Sequence, residues 1–250
     1  MAVPIKSDSE IALMRNSSAI LMDVFDMLNE EVRVGVNAKY LDDCIRELII
    51  SKGAKPAFLG YQGYAYSSCI SKNEEIVHGI PYENKVMMPG DICSVDVGVA
   101  FNGYISDAAR TFRILPVDDK IQKLVDLTEQ AFFEAVKQLK PGNRLGDLSY
   151  AIQHFVESHH MSVVKDLYSH GVGRELHEEP LIPHYGRPGK GIQLKAGMVF
   201  AIEPMVNLGS PDILTLEDKW TIISADRSWS CHYENTVLIT PNGPEILTLR

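Results

Sequence analysis

Apolar residues recur at three- and four-residue steps through Ile11, Met14, Leu21, Phe25 and Leu28, the period of an amphipathic helix. Ser7 followed by Glu10 supplies a capping box at its start, each side chain satisfying a backbone N–H that the first turn leaves unpaired. A second helix is expected from Asn37, with Leu41, Ile45, Leu48 and Ile49 on its inner face and a stop at Gly53. Residues 58–71, rich in Tyr, Gly and Ser, predict strand and loop. Two strands are predicted at 92–100 and 104–115, joined by Asn102-Gly103, a dipeptide suited to the positive φ angles of a two-residue hairpin.

Displacing the chain against itself by 107 residues brings Met14, Ser18, Phe25 and Leu28 onto Ile121, Val125, Phe132 and Ala135, another amphipathic stretch. The same offset carries Gly35, Leu41, Ile45 and Ile49 onto Gly142, Leu148, Ile152 and Val156. It also carries Gly90, Val95 and Asp96 onto Gly197, Ile202 and Glu203. Amphipathic helices resemble one another by chance, but a shared offset that also aligns strands is harder to reach that way. Two halves, about 1–115 and 116–250, each of two helices followed by strands, predict a single pseudo-twofold α+β domain with a sheet at its centre. A site at the junction would draw ligands from both halves.

In the register set by Asn102-Gly103, Phe101 pairs with Tyr104, Asp96 lies opposite Ala109 and Asp107 opposite Gly98. The two aspartates are then diagonal neighbours on one face of the hairpin. Like charges so placed in an apolar strand pair repel, and a divalent cation offsets that repulsion economically; pairing with Arg110 or Arg113 is the plainer alternative. Glu203 replaces Asp96 in the offset, within a strand predicted at 198–206, and Glu234 lies in another at 232–240. His170 stands in Ser169-His170-Gly171-Val172-Gly173, where the glycines let backbone approach a ligand or another chain closely. His78-Gly79-Ile80-Pro81 is a partial echo; His177 follows His170, and either of these two histidines alone reads equally as a core polar residue. Four carboxylates and an imidazole suit Mn(II), Fe(II) or Co(II) at least as well as zinc. Two such ions balance the four negative charges and activate water at neutral pH, which favours hydrolysis over redox chemistry.

Composition narrows the setting. A net charge of −9 argues against broad binding to DNA or anionic membranes, and some of that acidity is accounted for by the metal-binding set. Cys44, Cys69, Cys93 and Cys231 lie far apart with no Cys-x-x-Cys pair, which suggests neither a zinc knuckle nor a redox motif and fits a reducing cytoplasm. The first residues contain Pro4, Lys6 and Asp8 without an apolar core, and no run approaches the ~18 apolar residues of a membrane span.

These residues, together with Gly103-Tyr104 before Ser106-Asp107, Ile202-Glu203-Pro204-Met205 and Glu234-Asn235-Thr236, resemble the type I methionine aminopeptidases over nearly the whole chain. The resemblance implies the pita-bread fold, with helices on a curved antiparallel sheet, and removal of the initiator methionine from nascent chains with a small second residue. It implies Asp96, Asp107, His170, Glu203 and Glu234 as ligands of two divalent ions, drawn from Co, Mn, Fe or Zn, with Asp107 and Glu234 bridging both ions and His170 on one. His78 and His177 match residues that contact the substrate amide and stabilise the tetrahedral intermediate, and Glu203 matches the proton shuttle. Phe58, Tyr61, Tyr64, Cys69, Leu176 and Trp220 match the wall of the methionine pocket. Phe58 and Leu176 depart from the residues commonest in enterobacterial members, and Asn235 stands where many relatives have histidine. A monovalent cation site maps to Asn73, Glu75 and Ser230. The resemblance further implies a cytoplasmic monomer whose partners are nascent polypeptide N-termini, met during transient ribosome association. Its own Met1-Ala2 start would qualify as substrate. Xaa-Pro peptidases share the fold and the five ligands but carry a sizeable additional amino-terminal domain, which this chain is expected to lack.

Overall fold

The computed structural model describes residues 3–250, so the Met1-Ala2 start lies outside the described residues. Helix α1 (Asp8–Glu31) begins at the capping box, with Ser7 Oγ accepting from the Glu10 N–H and Glu10 Oε2 accepting from the Ser7 N–H at 2.9 Å. Asn37 Oδ1 caps α2 (Ala38–Ser51) by accepting from the Tyr40 N–H at 2.8 Å. Five strands complete the first half: β1 (Lys55–Pro56), β2 (Cys69–Lys72), β3 (Glu75–Val77), β4 (Ile92–Phe101) and β5 (Tyr104–Arg113).

The second half opens with α3 (Asp119–Val136) and α4 (Leu145–Ser158), followed by β6 (Ser162–Val163), β7 (Tyr168–Gly171), β8 (Glu178–Pro183) and β9 (Val199–Ile202). It closes with β10 (Met205–Asn207), β11 (Ile213–Thr215), β12 (Ile222–Ser224), β13 (Ser230–His232), β14 (Glu234–Thr240) and β15 (Gly243–Ile246). The predicted offset carries α2 onto α4 residue for residue. Isolated bridges repeat at the same spacing, Asn37 with Val86 and Arg144 with Gln193, as do the left-handed glycine pairs Gly35 and Gly142, Gly90 and Gly197.

The main sheet is antiparallel in the order β1-β4-β5-β14-β9-β7-β8, with β2 also on β4 and β15 also on β14. First-half and second-half strands meet where β5 pairs with β14, Glu234 opposite Ala109 and Asn235 opposite Ala108. The hairpin register is the predicted one, with Phe101 on Tyr104, Asp96 on Ala109 and Gly98 on Asp107. β5 ends at Arg113 rather than 115, because Ile114 turns to pair with Asp91 and Gly90 and the following Pro116 has no N–H to extend a ladder.

Two predicted strands are each broken in two. Residues 198–206 divide at Glu203-Pro204: β9 belongs to the main sheet, whereas β10 belongs to a separate sheet of order β13-β10-β6. Proline again explains the break, since it cannot donate to a continuing ladder. Residues 232–240 divide at Tyr233 in the same way, β13 pairing with β10 and β14 with β9. Both chains therefore change sheets side by side, and Glu203 and Glu234 stand at the crossing.

Each half packs its helices on the sheet through its own apolar cluster, Leu21, Leu28, Leu41 and Ile45 with Val95 and Val97 in one, Leu124, Phe132, Leu148 and Ile152 with Phe200 and Val237 in the other. Full burial of such side chains contributes about 1.5–3 kcal/mol each before entropy is counted. A third cluster, with Met14, Tyr104, Val199 and Leu238, joins the halves. Among the described residues no helix is long and apolar enough to cross a membrane.

Candidate metal centre

The hairpin delivers Asp96 from β4 and Asp107 from β5, the sheet crossing delivers Glu203 and Glu234, and β7 delivers His170 opposite Ala201 of β9. All five line one cavity of about 140 Å³. His170 Nε2 lies 3.4 Å from Glu203 Oε1 and 4.0 Å from Asp107 Oδ2. Asp107, His170 and Glu234 each offer a ligand atom within 4.8 Å of the others, and all three are buried. Arg110 and Arg113 do not neutralise the aspartates: Arg110 bonds the Glu234 carbonyl at 2.6 Å and Asn235 Oδ1 at 2.7 Å, while Arg113 pairs with Asp126.

The donor chemistry fits divalent metal. Asp96 Oδ1, Asp107 Oδ1 and Glu234 Oε1 are buried without a hydrogen-bond partner, a costly state for a carboxylate unless a cation takes the vacant lone pairs. Burial pushes the Asp96 carboxyl up to about 8, and burial with the neighbouring carboxylates pushes Asp107, Glu203 and Glu234 well above the usual range. His170 Nδ1 donates to the Gly171 carbonyl at 2.8 Å, which leaves its Nε2 lone pair facing the acids. Burial and nearby His177 lower its pKa to about 3, so the ring is neutral and able to coordinate. Thr236 Oγ1 clamps the Asp107 backbone at 2.9 and 2.8 Å, and Ser169 Oγ accepts the Glu203 N–H at 2.9 Å.

The other predicted residues gather at the same cavity. Phe58, Tyr64, Cys69 and Leu176 form a buried cluster with Tyr61 and Trp220 packed against it, giving the cavity an apolar wall opposite the acids. Tyr64 and Trp220 meet edge to face at 4.9 Å. Gly98 makes room for this wall, because a Cβ there would lie 2.7 Å from the Phe58 ring. His177 sits at the exposed mouth, its Nδ1 2.7 Å from Tyr61 Oη and its ring centroid 4.2 Å from that of His170. His78 is half-buried on the lining, in a left-handed conformation (φ 56°), with burial lowering its pKa to about 4. Asn73 and Ser230 are adjacent, the Asn73 carbonyl accepting the Ser230 N–H at 2.9 Å, whereas the Glu75 carboxylate is engaged by the Lys72 N–H and by Lys85 at 2.6 Å.

Sequence reading missed His232. Its Nε2, buried and without a partner, lies 3.6 Å from Glu203 Oε2 and 3.9 Å from Glu234 Oε2, so Glu203 has an imidazole facing each oxygen. The available signal was its spacing two residues before Glu234, which in extended chain puts both side chains on one face. His184 was missed as well; its Nε2 lies 3.0 Å from the Ser169 hydroxyl that holds Glu203, and nothing in its own surroundings in sequence points to that contact.

A two-halved antiparallel sheet that brings four carboxylates and a neutral imidazole into one small, apolar-walled cavity defines the class as metallohydrolase. The model of metallopeptidase family M24 matches residues 12–241, and the chain belongs to that family. A methionine aminopeptidase of Clostridium perfringens is 49% identical over 247 residues, covering 98% of both chains. The crystal structure of a Thermotoga maritima methionine aminopeptidase superposes with a TM-score of 0.98 at 43% identity, covering all of both chains. A Pyrococcus furiosus prolidase shares the pita-bread fold at a TM-score of 0.79 and 26% identity, with 98% of this chain matched to 65% of that one.

Proposed function

We propose that the protein removes the amino-terminal methionine from polypeptides whose second residue is small, acting in the cytoplasm on chains emerging from the ribosome. Full-length similarity to methionine aminopeptidases at 49% identity is the observation that carries this reading. Asp96, Asp107, His170, Glu203 and Glu234 would hold the divalent ions, two by the charge count. When bound, such ions supply Lewis-acid polarisation of a carbonyl and lower the pKa of water towards neutrality.

The methionine side chain enters the apolar wall formed by Phe58, Tyr64, Cys69, Leu176 and Trp220. A bulky second residue collides with the rim, where Tyr61 and His177 are joined by their hydrogen bond. That bond occupies His177 Nδ1 and leaves Nε2 to meet the scissile amide, with His78 across the same cavity. Glu203 accepts a proton from the attacking water and returns it to the leaving amine, its carboxylate lying on the cavity lining between the imidazoles of His170 and His232.

Metal-stripped protein titrated with Mn(II), Fe(II), Co(II) and Zn(II) tests the proposal against Met-Ala-Ser and Met-Leu-Ser peptides. Metal-dependent release of methionine from the alanine peptide alone is the expected result. Preferential cleavage of an Xaa-Pro peptide would move the assignment to the prolidase branch, and no cleavage by folded, metal-loaded protein would reject hydrolysis.

A further inference from the structure

The loop that presents His177 receives little from the main sheet. β7 ends at Gly171, β8 starts at Glu178, and their register shifts between His170 and Gly171, so regular ladder bonds stop short of His177 on both sides. Beside the Tyr61–His177 bond at its tip, the Gly173 N–H donating to the Glu175 carbonyl at 3.1 Å and the Arg174–Glu10 contact at 3.3 Å, the loop is closed by the Glu178 carboxylate. Its Oε1 accepts the Arg174 N–H at 2.7 Å and the Glu175 N–H at 3.4 Å, closing the turn, and its Oε2 receives Lys6 Nζ at 2.5 Å. The Lys6 and Glu178 side chains are 5% and 10% exposed, so the pair is shielded from water, where a charge deprived of its partner is poorly tolerated.

Lys6 comes from the segment before α1 and is itself anchored. Its N–H donates to the Gly197 carbonyl at 2.7 Å, and Gly197, at φ +88°, lies so close that a Cβ would stand 2.7 Å from Ile5 Cγ2. At the far end Gly173 clears the path for the ammonium group, since a Cβ there would collide with Lys6 Nζ and Cε. The Gly173 carbonyl accepts the Ile105 N–H at 2.7 Å, which fixes where the loop begins.

We propose that Lys6 is a positioning residue for His177: the segment preceding α1 straps the loop through the buried Lys6–Glu178 ion pair and so fixes the imidazole at the cavity mouth. This rests on the assignment of His177 to substrate contact. The ion pair does not touch the metal-facing acids, so its removal changes the loop and leaves metal affinity alone.

Lys6→Met and the conservative Lys6→Arg, each made in the parent and in a His177→Ala background, test the strap. Lys6→Met is expected to lower kcat/KM for Met-Ala-Ser by about 10–100-fold, the scale of a catalytic group misplaced by an ångström. Lys6→Arg should restore most of that loss. Calorimetric metal affinity should be unchanged, and hydrogen exchange should quicken at residues 174–178 but not in β4 or β14. In the His177→Ala background Lys6→Met should cost less than about twofold more, because two residues acting as one unit are non-additive. An undiminished loss in that background, or faster exchange throughout the sheet, would overturn the proposal by making Lys6 a general stabiliser. A parent enzyme that releases no methionine rejects the peptidase reading instead, and exchange at 174–178 then decides the strap by itself.

Discussion

At the scale of single residues, Glu203 is where charge, proton and imidazole meet. Glu203→Gln keeps the size of the side chain and one acceptor oxygen, and should lower kcat by about 10²–10⁴ while metal still binds, which a turnover assay beside calorimetry checks. His232 faces the second Glu203 oxygen, so its loss should matter through that carboxylate. His232→Leu is expected to lower kcat/KM by about 10–100-fold, the usual scale for a group just outside the ligands, and His232→Gln by less because an amide keeps a polar group facing the carboxylates. Equal losses in the two variants would show that the imidazole ring itself, and not merely a polar group at this position, is needed. Asp96 and Asp107 were legible because a two-residue hairpin admits one register and a register fixes faces. The bond from Tyr61 to His177 was not legible, since loops far apart in sequence bring those two side chains together.

Among the elements, the paired sheet changes at Glu203-Pro204 and at Tyr233 aim the two glutamates into the cavity. Pro204 announces the first change in the sequence, but apolar residues continue on both sides of it, so the apolar pattern alone predicts one strand over 198–206. Nothing comparable marks Tyr233, where the partner strand dictates the break. Arg110 of β5 ties this region together: it bonds the Glu234 carbonyl, Asn235 Oδ1 and the Thr248 carbonyl at 2.6, 2.7 and 2.9 Å, and lies between the rings of Phe25 and Tyr233 at 4.9 and 4.7 Å. Arg110→Leu removes the donor to these three acceptors and to the Ala109 carbonyl, of which Asn235 Oδ1 alone keeps a second side-chain donor, and should cost about 3 kcal/mol, read as a lower urea midpoint. Asn235 has its place in this network, with its Oδ1 also accepting from Thr248 Oγ1 at 2.9 Å.

For the whole molecule, the 107-residue repeat was readable because helices and strands obeyed one offset, and it located the site at the junction before any side chain was placed. Collecting acids there has a consequence for the metal-free protein. Burial lowers the pKa of His170 and His232 to about 3 and of His78 and His184 to about 4, so folding favours their neutral form and stability climbs with pH up to their unfolded value near 6.5. The carboxylates act in the opposite sense: with Asp96 raised to about 8, the folded state holds more protons than the unfolded one, and stability falls as pH rises. Above pH 6.5 only this second effect remains. Between about pH 6.5 and 8 one such group costs up to about 2 kcal/mol, or about 4–8 °C in Tm, which scanning calorimetry in a chelator should record. Added Mn(II) should abolish the decline, since it favours the ionised form.

Glu234 is both a wall of the cavity and one of the residue pairs by which β14 is stitched to β5. Chemistry is thus lodged in the suture of the molecule, and the enzyme doubles as a gauge of its own closure. Rising urea should extinguish turnover before far-UV ellipticity declines, because prising the two halves slightly apart disarms the site while each retains its helices.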